Sequence, residues 1–144
     1  MKLSTRTRYG IRAILVLAEN YGNGPLQLRI IARDQAMSVK YLEQLMAMLK
    51  SAGIVRSVRG SKGGYILAKP PGQVKVSDCF QCLEGPVITT ECVEDESYCE
   101  RTTDCVARQV WTEVQKAVMG VLQSITLQNL VDRAHRNKAI NYHI

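Results

Sequence analysis

With 144 residues and a formal charge of +6, the chain has room for one compact domain carrying an appended helical arm. The opening twenty residues hold neither a long apolar run nor a small-residue cleavage site, so a signal peptide and a membrane span are excluded as expectations and the protein is placed in the cytoplasm. In that compartment five cysteines are not a disulfide framework, because thiols there stay reduced and the odd number leaves one unpaired.

The charge is unevenly divided. Residues 1–75 carry 13 Lys and Arg against 3 Asp and Glu, whereas residues 76–144 carry 6 against 10. A basic N-terminal half suits a polyanion, with nucleic acid the leading candidate.

Residues 6–20 predict a helix with Tyr9, Ala13, Val16 and Leu17 on one face, ended by Gly22, Gly24 and Pro25. A short helix over 27–35 follows, burying Leu28, Ile31 and Ala32. Ser38 is placed as the N-cap of the next helix, 39–52, which turns Leu42, Leu45, Met46 and Leu49 inward. After Gly53 the runs IVRSV and GYIL, separated by RGSKG, read as a hairpin. Helix, turn, helix and a Gly-rich hairpin with cations at its tip is the order of a winged helix-turn-helix. The fold class expected is therefore mainly α with a small β-hairpin wing and a long dimerisation helix.

Lys69-Pro70-Pro71-Gly72 forms a linker, and Ser77 is expected to cap a short helix reaching Leu83. A long amphipathic helix over 105–124 aligns Val106, Val110, Trp111, Val114, Val118, Val121, Leu122 and Ile125 in one stripe. This stripe exceeds what a small wing domain can cover, so a homodimer is favoured over a helix folded back on its own core. Thr126 caps a last short helix, LQNLVDRA, and the tail from Asn137 is expected to be mobile. The organisation read from these elements is a DNA-binding domain at 1–70, a linker helix and cysteine loop at 71–105, and a dimerisation helix with C-terminal arm at 106–144.

Glu43 and Gln44 lie side by side on the polar face of the third helix, where glutamine can pair with adenine and glutamate can accept from cytosine. Ser38, Lys40 and Tyr41 at the same end suit phosphate, which positions the helix without reading sequence. In the wing, Arg59 and Lys62 flank glycines that permit close approach to a groove. The wing glycines do not form a nucleotide-binding loop: the P-loop pattern is missing, and they join two strands.

Cys92, Cys99 and Cys105 are spaced C-x6-C-x5-C in an acidic loop. They lack the paired C-x2-C knuckles usual for structural zinc. Iron–sulfur ligation, zinc and thiol redox chemistry all stay open on spacing alone, since thiolates suit each. Glu94, Asp95, Glu96, Glu100 and Asp104 would lower a cluster's reduction potential, or simply solvate the loop. Cys79 and Cys82 form a C-x2-C pair inside a predicted helix and are read as buried apolar side chains, with a redox role as the alternative. His135 and His143 are read as surface residues.

With these motifs in place the sequence resembles the IscR-type iron–sulfur cluster regulators, a family of dimeric winged-helix transcription factors. The resemblance covers nearly the whole chain. Its most specific stretches are SVKYLEQLMAMLKSAGIVRSVRGSKGGYIL, the three cysteines, and Trp111 through ITLQNLV. It implies a reader of double-stranded DNA, a homodimer, a 2Fe-2S cluster held in the loop, and control of iron–sulfur assembly genes. The family's DNA-contacting positions match Ser38, Glu43, Gln44 and Arg59. Members with three cysteines and one histidine place that histidine where this chain has Arg108, and nitric-oxide-sensing relatives use an aspartate where it has Arg8. Arginine is no ligand, which leaves the fourth ligand unassigned. Relatives that regulate cysteine metabolism without a cluster lack the triad.

The function expected is a non-enzymatic transcriptional regulator sensing cluster or redox status. Its rivals are a thiol oxidoreductase using Cys79 and Cys82 and a zinc-stabilised DNA-binding module.

Overall fold

The computed structural model describes residues 1–142, so the expectation for His143 lies outside the described residues; His135 is exposed. The chain forms α1 (Thr5–Glu19), α2 (Leu28–Asp34), α3 (Val39–Ser51), β1 (Val55–Val58), β2 (Gly64–Leu67), α4 (Val76–Leu83), a single turn α5 (Glu91–Glu94), α6 (Val106–Ser124) and α7 (Leu127–Tyr142). The strands pair antiparallel with Val55 opposite Leu67 and Val58 opposite Gly64. This is the mainly helical, winged fold expected.

The 3.6-residue periodicity of α1 and α3 delivers Ala13, Ile14 and Leu17, and Leu42, Leu45, Met46 and Leu49, to one core with Ile31 of α2 and Leu67 of the wing. The Leu, Ile and Met side chains among these contribute about 1.5–3 kcal/mol each on full burial. Gly10 lets α1 meet α4 closely, since a Cβ there would stand 2.4 Å from a Leu83 methyl. The start of α1 is tied to the end of α4 by Glu84. Its carboxylate accepts from the Ser4 hydroxyl (2.6 Å), the Thr7 hydroxyl and the Ser4 N–H. Those bonds, from Ser4 first and then Thr7, hold the Glu84 carboxyl below the usual carboxylate range.

Two sequence expectations are corrected, and one element is added. The cap of α4 is Lys75 rather than Ser77. The Asp78 carboxylate accepts from the Lys75 N–H (3.2 Å), and Lys75 is held extended by a bridge to Thr126, so the helix starts two residues earlier. The C-terminal helix does not stop at Ala134. No Gly or Pro interrupts RNKAINY, so α7 runs on through Asn137 to Tyr142, and Lys138 pairs with Glu19 of α1 at 2.8 Å. The single turn α5 was not expected, because four residues are too short to show a period.

Thr126 does cap α7: its hydroxyl accepts from the Asn129 N–H (3.1 Å), and the Asn129 side chain accepts from the Thr126 N–H (2.9 Å). Leu127 and Val131 enter the same core as α1. Backbone bonds from Val76 N–H to the Ile125 carbonyl (2.8 Å) and from Leu127 N–H to the Val74 carbonyl (2.9 Å) close the loop that α6 makes.

The turn between α2 and α3 carries strain at Ala36, whose φ of +52° lies in the left-handed region. Ala36→Gly is expected to raise the unfolding free energy by about 0.5–1 kcal/mol, the strain relieved outweighing the added freedom of the unfolded chain. Urea titration checks this as a higher midpoint at unchanged slope.

Candidate nucleic-acid interface and cysteine loop

The third helix begins as the sequence predicts. The Ser38 side chain accepts from the Tyr41 N–H at 3.1 Å, capping α3 and leaving the hydroxyl proton free to donate outward. Lys40, Glu43 and Gln44 are exposed on the face opposite the core. Tyr41 is half-buried instead, its ring meeting that of Tyr9 edge-on at 6.1 Å, with the Arg12 guanidinium 5.2 Å from the Tyr9 ring on α1. Arg12 also donates to the Gln35 carbonyl at 2.8 Å, so α1, α2 and α3 are held together by one aromatic and guanidinium cluster.

The wing sits beside the same helices. Leu26 and Tyr65 exchange backbone bonds of 3.0 and 2.8 Å, which dock β2 on the segment leading into α2. Gly64 permits this approach: its φ is +151°, and a Cβ there would fall 2.1 Å from the Leu26 carbonyl oxygen. Arg59 and Lys62 are exposed on the tip. Among the described residues the ion pairs are Arg33 with Asp34, Arg108 with Glu96, and Lys138 with Glu19. Lys40, Arg59 and Lys62 enter none of them, so their charge is available to a polyanion.

The cysteines divide into two sets. Cys79 is fully buried in the core and Cys82 half-buried, with its thiol donating to the Met48 carbonyl of α3 at 3.3 Å. Burial, reinforced by the neighbouring Asp78 and Cys82, pushes the Cys79 thiol up to about 12, and burial raises Cys82 as well. Neither is a ready thiolate at neutral pH, which argues against the dithiol oxidoreductase reading. The pair acts as packing between α4 and the third helix.

Cys92, Cys99 and Cys105 are free thiols. Cys92 sits in α5 with its sulfur 3.1 Å from the Thr90 hydroxyl, Cys99 is exposed between turns, and Cys105 precedes the first residue of α6. Among the described residues no group of three His, Cys, Asp or Glu side chains is disposed to hold a metal ion. The donor set fits a soft metal or an iron–sulfur cluster by its chemistry. Gathering it requires the stretch between residues 95 and 104 to close. That stretch has bonds suited to rearrangement, being local turns such as Tyr98 N–H to the Asp95 carbonyl (3.1 Å) and Asp104 N–H to the Arg101 carbonyl (3.2 Å).

Arg108 carries a role that sequence reasoning missed, because it was weighed only as an absent ligand. Its Nε donates to the Cys92 carbonyl at 2.8 Å and its guanidinium lies 3.7 Å from Glu96, which fastens the Cys92 end of the loop to α6. Gln115 assists by accepting from the Thr89 N–H (3.1 Å) and donating to Glu94 (3.3 Å). The apolar stripe of α6 faces outward over Val106 (71% exposed), Val110, Trp111 (44%), Val114 and Val121. Val118, Leu122 and Ile125 are half-buried, and α6 lies against α4.

A capped third helix, a docked wing and unpaired cations on both define a winged helix-turn-helix DNA-binding regulator. Residues 3–133 match the family described as Rrf2, iron-dependent transcriptional regulator, and the chain belongs to that family. It is 40% identical over 130 residues to the HTH-type transcriptional regulator CymR of Bacillus subtilis (strain 168), covering 90% of this chain and 89% of that protein. To the regulator IscR of Cronobacter sakazakii it is 36% identical over 132 residues, covering 92% and 81%. Among solved structures, CymR (YrzC), the global cysteine regulator of B. subtilis, superposes with a TM-score of 0.80 at 38% identity, covering 92% of this chain and 98% of that one. IscR of T. potens superposes at 0.76 with 41% identity, covering 93% and 88%. No helix among the described residues is long and apolar enough to cross a membrane.

Proposed function

We propose that this chain is a homodimeric, cytoplasmic, non-enzymatic regulator that binds double-stranded DNA through residues 1–70 and senses iron–sulfur status through Cys92, Cys99 and Cys105. Residues 71–105 form the sensing segment and residues 106–144 the dimerisation arm. The observation that carries the sensing role is the fastening of the Cys92 end of a three-thiol loop to α6, next to an apolar face that a second copy would cover. When bound, a 2Fe-2S cluster would supply a redox-active centre in that loop. The chain's own residues would hold it with three thiolates, the fourth ligand being unassigned, while Arg108 and Gln115 keep the Cys92 end on the helix.

DNA affinity changes with the loop only if its two states pack differently against the reader or its dimer mate. A coupling of about 1–3 kcal/mol, or roughly 5–150-fold in affinity, is the expected scale. A second reading has support of its own: the likeness to CymR, named as a cysteine regulator, and the ungathered, exposed Cys99 suit a thiol or cysteine signal with no cluster. The zinc-stabilised module is a third outcome of the same experiment.

Anaerobically purified protein is expected to show visible absorption with iron and sulfide present, lost in Cys99→Ala and kept in Cys79→Ala. A colourless wild-type protein without iron or sulfide supports the thiol reading, and zinc without iron supports the structural module. Matched holo and apo protein should differ in affinity for some duplexes of a randomised library at fixed salt.

In the third helix Gln44 and Glu43 are proposed to read base edges while Ser38, Lys40 and Tyr41, with Arg59 and Lys62 of the wing, meet phosphate or groove. Gln44→Ala is expected to cost about 1–3 kcal/mol at the preferred base and to relax specificity there. Lys40→Ala should weaken binding to all sequences and flatten the salt dependence. Competition titrations with cognate and scrambled duplexes separate the two behaviours; equal loss on both from Gln44→Ala counts against base readout.

The dimer is checked by Val114→Asp, which puts a charge in the middle of the exposed stripe of α6. Sedimentation velocity should show a dimer for the wild type and a monomer with unchanged helix content for the variant.

A further inference from the structure

Gln27 stands at the N-cap of α2 with extended backbone angles (φ −72°, ψ 143°), yet its side chain makes no capping bond. Glutamine is an uncommon residue there, where Ser, Thr, Asp and Asn are preferred. Its amide is engaged elsewhere. The Oε1 atom accepts from Arg29 Nε at 2.6 Å, and Nε2 donates to the Ser61 carbonyl in the wing tip at 3.4 Å. One half-buried side chain therefore links the start of α2 to a residue 34 positions later, between Arg59 and Lys62.

The neighbouring residue anchors the base of the same wing, through the Leu26 and Tyr65 backbone bonds. The wing is thus held at its base by backbone and at its tip by this amide. Arg29 is exposed and enters no ion pair among the described residues. Its bond to Gln27 uses Nε alone, which leaves the terminal nitrogens of the guanidinium free for an anion. A guanidinium fixed through one nitrogen loses less freedom when it meets a phosphate, so the orientation itself favours binding.

We propose that Gln27 is a positioning residue for DNA binding, its amide joining Arg29 to the wing tip at Ser61 so that Arg29 acts with Arg59 and Lys62 as one phosphate-binding row. The proposal rests on the reading of residues 1–70 as the DNA-binding unit. Arg29 supplies charge and carries no sequence information. Gln27 touches no DNA and acts through Arg29 and the wing.

The test uses the full-length protein and fluorescence anisotropy on two duplexes of equal length, one selected from a random library by the wild type and one scrambled. Gln27→Met keeps the side-chain length without the hydrogen bonds and is expected to weaken binding to both duplexes about tenfold, through the lost orientation of Arg29 and the wing tip. Arg29→Gln should weaken both and lower the slope of log affinity against log salt by about one. If Gln27 acts through Arg29, the double variant loses less than the product of the two separate losses, whereas Gln27→Met and Gln44→Ala multiply in full. The melting temperature of Gln27→Met should stay within about 2 °C of the wild type, as expected for a change near the surface.

Wild-type affinity in Gln27→Met, or full multiplication with Arg29→Gln, overturns the relay while the DNA reading stands. A wild type that enriches no sequence and binds neither duplex overturns both.

Discussion

The two backbone bonds that join residues 74–76 to residues 125–127 decide where α6 leaves the reader and where the chain returns to it. They are flanked by Val74 and Leu127, both buried in the core. Because the ends are closed at one point, the nineteen residues of α6 project as an arm whose far end is free to carry the cysteine loop. α7 then returns along α1, with Leu127 and Val131 in the reader's core and Lys138 on Glu19. That closure, with the packing of α6 on α4, fixes the direction of the arm relative to the core.

Around this frame the charges are separated by function. The reader keeps Lys40, Arg59 and Lys62 out of ion pairs, which leaves their attraction to phosphate undiminished by internal partners. Six of the thirteen acids fall between Glu91 and Asp104, around the cysteines, where they keep the loop in water. Arg108 fastens the backbone at Cys92 to α6 rather than supplying a donor. The loop is therefore anchored at both ends, at Cys92 through Arg108 and at Cys105 by the chain's entry into α6.

The two cysteine sets differ in environment rather than in chemistry. Cys79 and Cys82 lie between α4 and α3, where desolvation keeps the thiols protonated and the Cys82 proton satisfies a carbonyl of the third helix. Cys92, Cys99 and Cys105 lie at or near the surface, free of disulfides. In the proposed reading this is why one set stabilises the reader and the other responds to its surroundings.

Much of this was legible in the sequence. The periods of α1 and α3, the Ser38 cap, the hairpin with its glycines, the stripe on α6 and the Thr126 cap are local properties, set by propensity and by side chains within a few positions of one another. The uneven charge and the cysteine spacing pointed to a DNA reader and a thiol site on the same grounds. What the tertiary structure alone decided are relations across long separations. It set the start of α4, through Lys75 and Thr126, and the seating of α7 on α1, through Lys138 and Glu19. It set the packing of Tyr41 on Tyr9, the attachment of Arg108 to Cys92, and the bridge from Gln27 to Ser61. None of these pairings has a local motif, because each depends on two segments distant in sequence being brought together by the core.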